Sequence, residues 1–358
     1  MPHASRPLRY ALLVAAVLAA GMLGACGGEQ PPPPPSQSPQ SPPPQTPNPP
    51  FPSPPVPSPS VPPRTERVVT DLHLLDGESD RVYENVTFRS TGRYQTATIT
   101  IKNAHDIVFR DCVVEGSAWN AITINDIDRS VYNVRFENVH VKRTGRMGFE
   151  CTARGSVGYE NIVLDGITIE PSGSEAISFD GPGHDVVISD ATILGSGTDR
   201  SYHGQGFEIN GSSDFTIDGL TIYQTRGSAF NLNGPTGRPS GWTFTDVVAD
   251  MTVSNQDVPQ EHTSQVLYAR NMSGATWSNT YIRAASPGGG VAYLDSCSDN
   301  DFRGVRWYDE RGGHWATPRL VGSSSGNLFA GQPSAASAGA LAAGDPAAAL
   351  RSASVLSD

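Results

Sequence analysis

Val134-Arg135-Phe136-Glu137-Asn138-Val139-His140-Val141 holds an apolar-x-apolar strand, one further residue, an asparagine, and a second apolar-x-apolar strand. The same grammar returns as Ile107-Val108-Phe109-Arg110-Asp111-Cys112-Val113-Val114 and as Ile162-Val163-Leu164-Asp165-Gly166-Ile167-Thr168-Ile169. Further copies centre on Asp190, Gly219 and Asp246, and looser ones on Asn85, Asn279 and Gly304. Every centre is Asn, Asp or Gly, the residues that tolerate a left-handed backbone, so each can bend one short strand sharply into the next. Successive centres lie 26, 27, 28, 24, 29, 27, 33 and 25 residues apart. A period of this size built from strands and bends belongs to a solenoid, whereas a propeller blade needs ~40 residues and four strands. Three short strands per turn fill the observed period.

The third strand of each turn is legible too, as Ile99-Thr100-Ile101, Ile122-Thr123-Ile124, Phe149-Glu150-Cys151, Ile177-Ser178-Phe179, Phe207-Glu208-Ile209 and Phe230-Asn231-Leu232. Alternation sends the apolar members inward and the others outward. Residues 64–330 therefore predict an all-β fold, a right-handed parallel β-helix of about nine three-stranded coils. In this respect the chain resembles the superfamily of pectate lyases, polygalacturonases and related repeat proteins, over about residues 68–310. Cys112 shares an inward column with Val139 and Ile167, and Cys151 with Ile124 and Phe179. Both are expected to be core thiols, since a free cysteine packs as a small hydrophobe.

The two ends read differently. Residues 1–25 combine Arg6 and Arg9, an apolar run from Tyr10 to Met22, and the small-residue site Leu23-Gly24-Ala25-Cys26. This pattern marks an export signal, and the site resembles a bacterial lipobox, which implies lipidation of Cys26. Residues 26–63 then form a linker, with 19 prolines among the 33 positions from 31 to 63. Such a segment favours the extended polyproline conformation and acts as a semi-rigid spacer. Residues 331–358 are rich in Ala and Ser without apolar periodicity, and a disordered tail is expected there. The protein is thus expected outside the cytoplasm, attached to the membrane through its lipid alone, and monomeric. Residues 64–330 carry 22 Lys and Arg against 33 Asp and Glu, the −11 of the whole chain, which argues against nucleic acid as a partner. The spacing of Cys112, Cys151 and Cys297 matches no metal motif.

In β-helix enzymes of the resembled superfamily, polysaccharide lies in a groove over one parallel sheet. That directs attention to the outward positions Thr100, Thr123, Glu150, Ser178, Glu208, Asn231, Leu267 and Tyr293, with Lys102, Asn125, Thr152, Asp180, Asn210, Asn233, Ala269 and Asp295 beside them. Glu150, Asp180 and Glu208 fall on successive coils, ~8 Å apart by backbone position. An inverting glycosidase holds its carboxyl pair ~6.5–9.5 Å apart to admit a water. Repulsion within the cluster would raise the pKa of one member and equip it as the acid. The same oxygens suit Ca²⁺, and a solvated acidic face is a third reading. Gly148-Phe149-Glu150-Cys151 is similar to the Gly-Asp-Asp-Cys strand of polygalacturonases, and His203-Gly204-Gln205-Gly206 to their Gly-His-Gly segment. No Asn-Thr-Asp segment precedes and no Arg-Ile-Lys segment follows. His203, on the long insertion 195–206, joins the carboxylates as a candidate catalytic group. Arg146, Arg154, His184, Tyr202, Asn210 and Asn231 are candidates for binding a glycan. The leading expectation is a glycoside hydrolase or polysaccharide lyase acting on an extracellular polysaccharide. The alternative is a non-catalytic glycan-binding or structural surface protein.

Overall fold

The computed structural model describes residues 67–330, apart from residues 71, 91–94, 127–129, 154–156, 253–257, 259–264, 285–289, 310–313 and 316–317. The expectations for the leader, Cys26, the proline-rich segment and the tail lie outside the described residues. Thirty-one strands and no helix occur among the described residues, in three sheets of 11, 10 and 10 strands. We number the sheets in chain order: sheet 1 begins with Arg67–Val69, sheet 2 with His73–Asp76 and sheet 3 with Ser79–Glu84. Each sheet takes every third strand in turn, and the pairings are parallel except where His314–Trp315 runs back against Tyr308 and Asp309. This is a parallel β-helix. The architecture is the expected one of about nine three-stranded coils, and the C-terminal strands Arg319–Val321 and Leu328–Phe329 pair onto sheets 2 and 3 at its end.

The repeat Val134–Val141 spans a strand of sheet 3, a bend, and a strand of sheet 1. Eight of its nine central residues hold a left-handed backbone, from Asn279 at φ 42° to Gly219 at φ 78°. Gly304 is the exception. Its requirement is space, since an added Cβ would stand 2.4 Å from the carbonyl oxygen of Trp277. A second column of bends accompanies the first, five residues upstream of each centre: Asp80, Asp106, Asn133, Asn161, Asp185, Asp214, Gly241, Gly274 and Asp299, with Gly326 beyond them. Asp80, Asp106, Asn133, Asn161 and Asp185 bend the first residues of the sheet 3 strands, and the others lie between sheet 2 and sheet 3. Amides ladder between coils in both columns, as Asn138 Nδ2 donates to Asp111 Oδ1 (2.6 Å) and Asn133 Nδ2 to Asp106 Oδ1 (2.8 Å).

Inside, like side chains stack coil upon coil. Tyr83, Phe109, Phe136, Leu164, Ile188, Ile217, Phe244 and Trp277 occupy one register position of sheet 3. The rings of Phe109 and Phe136 lie 5.0 Å apart and nearly parallel. Coil spacing near 4.8 Å is what allows this face-to-face arrangement. Cys112 and Cys151 are buried as their columns require, and Cys297 joins them; none of the three is in a disulfide.

Candidate functional site

Sheet 2 presents the face singled out in the sequence, and its register brings Thr123, Glu150, Ser178, Glu208 and Asn231 into one outward column. Thr152, Asp180, Asn210 and Asn233 run beside it. Farther along, the expected positions are corrected. Tyr268 pairs with Asn231 and Tyr293, while Leu267 and Ala269 point inward and are buried. The outward residues there are Tyr268 and Arg270. Tyr and a small Ala blur the alternation of polarity on that strand, and the long insertion before it removes the spacing as a guide.

Glu150 and Glu208 stand two coils apart, ~10 Å by backbone position. Each is half-buried and held by neutral donors. Asn120 Nδ2 and Thr123 Oγ1 donate to Glu150 Oε2 at 2.7 and 3.3 Å. Asn210 Nδ2 and Asn231 Nδ2 donate to Glu208 Oε1 at 2.9 and 2.8 Å. The coil between them contributes a carboxylate that the sequence did not single out. Glu175 is only 7% exposed and accepts a hydrogen bond from its neighbour Ser174. It precedes the strand Ile177–Asp180 by two residues, the place that Asn120 takes two coils earlier. That place lies on the loop from sheet 1, so strand alternation did not reveal it.

Burial, chiefly, pushes the Glu150 carboxyl up; the charge of Glu175 adds to this, and Arg146 and the Thr123 and Asn120 hydrogen bonds oppose it. Glu208 is raised by burial in the same way, with Glu175 and Asp180 adding to the rise and its two asparagine partners opposing it. Glu175 therefore bears on both glutamates. Asp180, exposed at the end of its strand, bears on Glu208. The acidic group is centred on Glu175, with Asp180 to one side.

The loops that run from sheet 1 into sheet 2 form one bank of the site. Arg146 lies with its guanidinium 4.6 Å from the centre of the Trp119 ring and 5.9 Å from that of Tyr202. Tyr202 belongs to the long insertion. That insertion is pinned to the preceding loop by Thr198 N–H to Ser172 O (3.0 Å) and to the following one by Arg226 Nη1 to Arg200 O (2.9 Å). It borders a cavity of about 450 Å³ lined by Arg200, Tyr202, His203, Gln205, Arg226 and Ser228. His203 is thus on this bank, exposed, rather than in hydrogen-bond contact with a glutamate. Asn210 and Asn231 reach the site by holding Glu208. His184 goes elsewhere: it opens a strand of sheet 3, where its Nδ1 meets Asp185 Oδ2 at 2.8 Å and Glu160 is its other neighbour. Arg154 lies outside the described residues.

Three side-chain donors suited to a metal come within 4.8 Å of one another at Glu160, His184 and Asp185, and at no other place among the described residues.

No family model and no curated protein matches the chain. Among solved structures it is similar to a siphovirus 9NA tailspike receptor binding domain, with 10% sequence identity and a TM-score of 0.38. The alignment covers 75% of this chain and 53% of that one, so the chain spans about half of its length. A likeness at that level says nothing of activity, which must be argued from the site.

Proposed function

We propose that this protein is a carbohydrate-active member of the pectate lyase-like β-helices, lipid-anchored through Cys26, that hydrolyses an extracellular glycan with inversion. The observation that supports this best is the pair Glu150 and Glu208 in one outward column, with buried Glu175 between them. Water attacks the anomeric carbon while one glutamate takes the proton of that water. The glycosidic C–O bond breaks, its electron pair passes to the leaving oxygen, and the other glutamate supplies the proton that this oxygen needs. The ~10 Å between Glu150 and Glu208 is a separation of backbone positions, and inversion needs the two carboxyl groups themselves ~6.5–9.5 Å apart. Burial raises both carboxyls, the direction that the acid of such a pair requires. Tyr202 lines the cavity beside the long insertion and offers an aromatic ring there.

Reducing-sugar release across a panel of extracellular polysaccharides tests this, read alongside absorbance at 235 nm with and without EDTA. Hydrolysis gives reducing ends without the absorbance, and Glu150→Gln and Glu208→Gln should each lower it by at least about a hundredfold. Growth of the 235-nm absorbance instead would make the protein a lyase. Binding without turnover would favour the second reading, a glycan-binding surface module. That reading draws on Tyr268 and Tyr293, stacked with ring centres 5.3 Å apart on the same face, with Arg270 and Arg319 over their rings.

A further inference from the structure

A hydrolase with two similar glutamates must decide which of them carries the proton, and the surroundings of Glu150 and Glu208 are unequal. Arg146 is five residues from the start of a sheet 1-to-2 loop and four residues ahead of Glu150. Its guanidinium is packed against Trp119 from the preceding coil and Tyr202 from the insertion two coils further on. Trp119 and Tyr202 lead into strands three coils apart, ~14 Å along the axis, yet their ring centres lie 6.3 Å apart, edge to face. The insertion therefore reaches back over the loops of Arg146 and Glu175 to close an aromatic grip on the arginine. Within that grip Arg146 Nε is buried and has no hydrogen-bond partner. Stacking on aromatic faces suits a guanidinium and holds it in one place without neutralising it.

We propose that Arg146, gripped by Trp119 and Tyr202, is the positioning residue that keeps Glu150 ionised as the base and leaves the proton of the pair on Glu208. This rests on the hydrolytic reading of the same two glutamates. The charged groups facing each support the assignment. Glu150 has Arg146 from its own loop and Glu175 from the next coil, with the neutral Asn120 and Thr123 from the coil before. Glu208 has Glu175 and Asp180 from the coil before and only the neutral Asn210 and Asn231 besides. One glutamate is therefore set against a cation and a carboxylate, the other against two carboxylates. Like charges disfavour ionisation and an opposite charge favours it, so the first proton lost belongs to Glu150.

The test is a ¹³C-carboxyl NMR titration of the full-length chain labelled at glutamate, with Glu150→Gln and Glu208→Gln assigning the two signals. In the wild-type protein Glu150 should titrate at lower pH than Glu208. In Arg146→Met the Glu150 midpoint should rise to meet or pass that of Glu208, which itself stays in place. Arg146→Lys should preserve the wild-type order. Trp119→Ala, which loosens the grip and leaves the charge, should move Glu150 in the same direction by less, and it serves if Arg146→Met does not fold. On any glycan that is turned over, Arg146→Met should lose about tenfold in kcat/KM at pH 5 and less than about twofold at pH 8, because the base is then protonated earlier. A Glu150 midpoint unmoved by both substitutions, or one above that of Glu208 in the wild type, overturns the assignment. The expected titrations with no turnover on any glycan would instead remove the hydrolytic reading, and with it the catalytic meaning of the order.

Discussion

Replacing Asn138 by valine isolates the backbone requirement on which the coils depend. Asn138 sits at φ 52° on the exposed outside of the bend between sheets 3 and 1. A β-branched residue there is forced into a conformation that costs on the order of 1–3 kcal/mol. The lost amide bond to Asp111, at 2.6 Å, adds little because both groups are exposed to water and can bond it instead. No core contact is removed, so strain supplies nearly all of the effect. For a domain of this size each kcal/mol moves the melting temperature by ~2–4 °C, giving an expected drop of ~2–12 °C. Asn138→Gly supplies the control: it loses the same amide but accepts the same φ without strain, so it should be the milder of the two. Thermal and urea unfolding, followed by circular dichroism and by tryptophan emission together, would measure this, and coincident curves would show that the solenoid unfolds as one unit. A wild-type midpoint for Asn138→Val, or a greater loss for Asn138→Gly, would refute the assignment of strain to this column.

Four further outcomes are expected. Glu175→Gln removes a negative charge that faces both Glu150 and Glu208, so both should titrate lower and the pH optimum of any turnover should move toward acid, as a pH–rate profile would show. Burial raises Glu170, but His140 and Lys142 outweigh it and hold the carboxyl at about 2, below its ordinary 4.5. Its contribution to stability is therefore complete above pH 4.5 and lost as the pH falls through about 2, and Lys142→Met should move the acid-unfolding midpoint to higher pH. Burial pushes the Cys297 thiol up to about 11, and Cys112 is raised by burial too, so an aromatic disulfide reagent at pH 8 should find no reactive thiol among Cys112, Cys151 and Cys297 until denaturant is added. Cys26→Ser should release the protein from membranes or leave its leader uncleaved, and unchanged membrane fractionation with unchanged lipid labelling would end the lipoprotein reading.

The β-helix was legible in the chain's own repeat: its strands, its main column of bends and the inward columns that carry Cys112 and Cys151. These are properties of single residues and their near neighbours, namely tolerance of a left-handed backbone and alternation of polarity, and repetition makes them legible. The second bend column was equally open to view, since Asn, Asp or Gly recurs five residues ahead of every centre. Glu150 and Glu208 were legible because alternation places them outward on strands of one sheet. Their neighbours were not. Glu175 stands on a loop, where no periodicity says which way a side chain faces, and only the stacking of the next coil puts it between two glutamates. Tyr268 and Arg270 required the observed pairing with Tyr293 and Asp295, because the insertion before them breaks the spacing. Trp119, Arg146 and Tyr202 span 84 residues of chain, and their meeting depends on how far one insertion leans back along the axis. Local chemistry writes a repeat into a sequence, whereas the convergence of side chains from different coils is decided only when the coils are stacked.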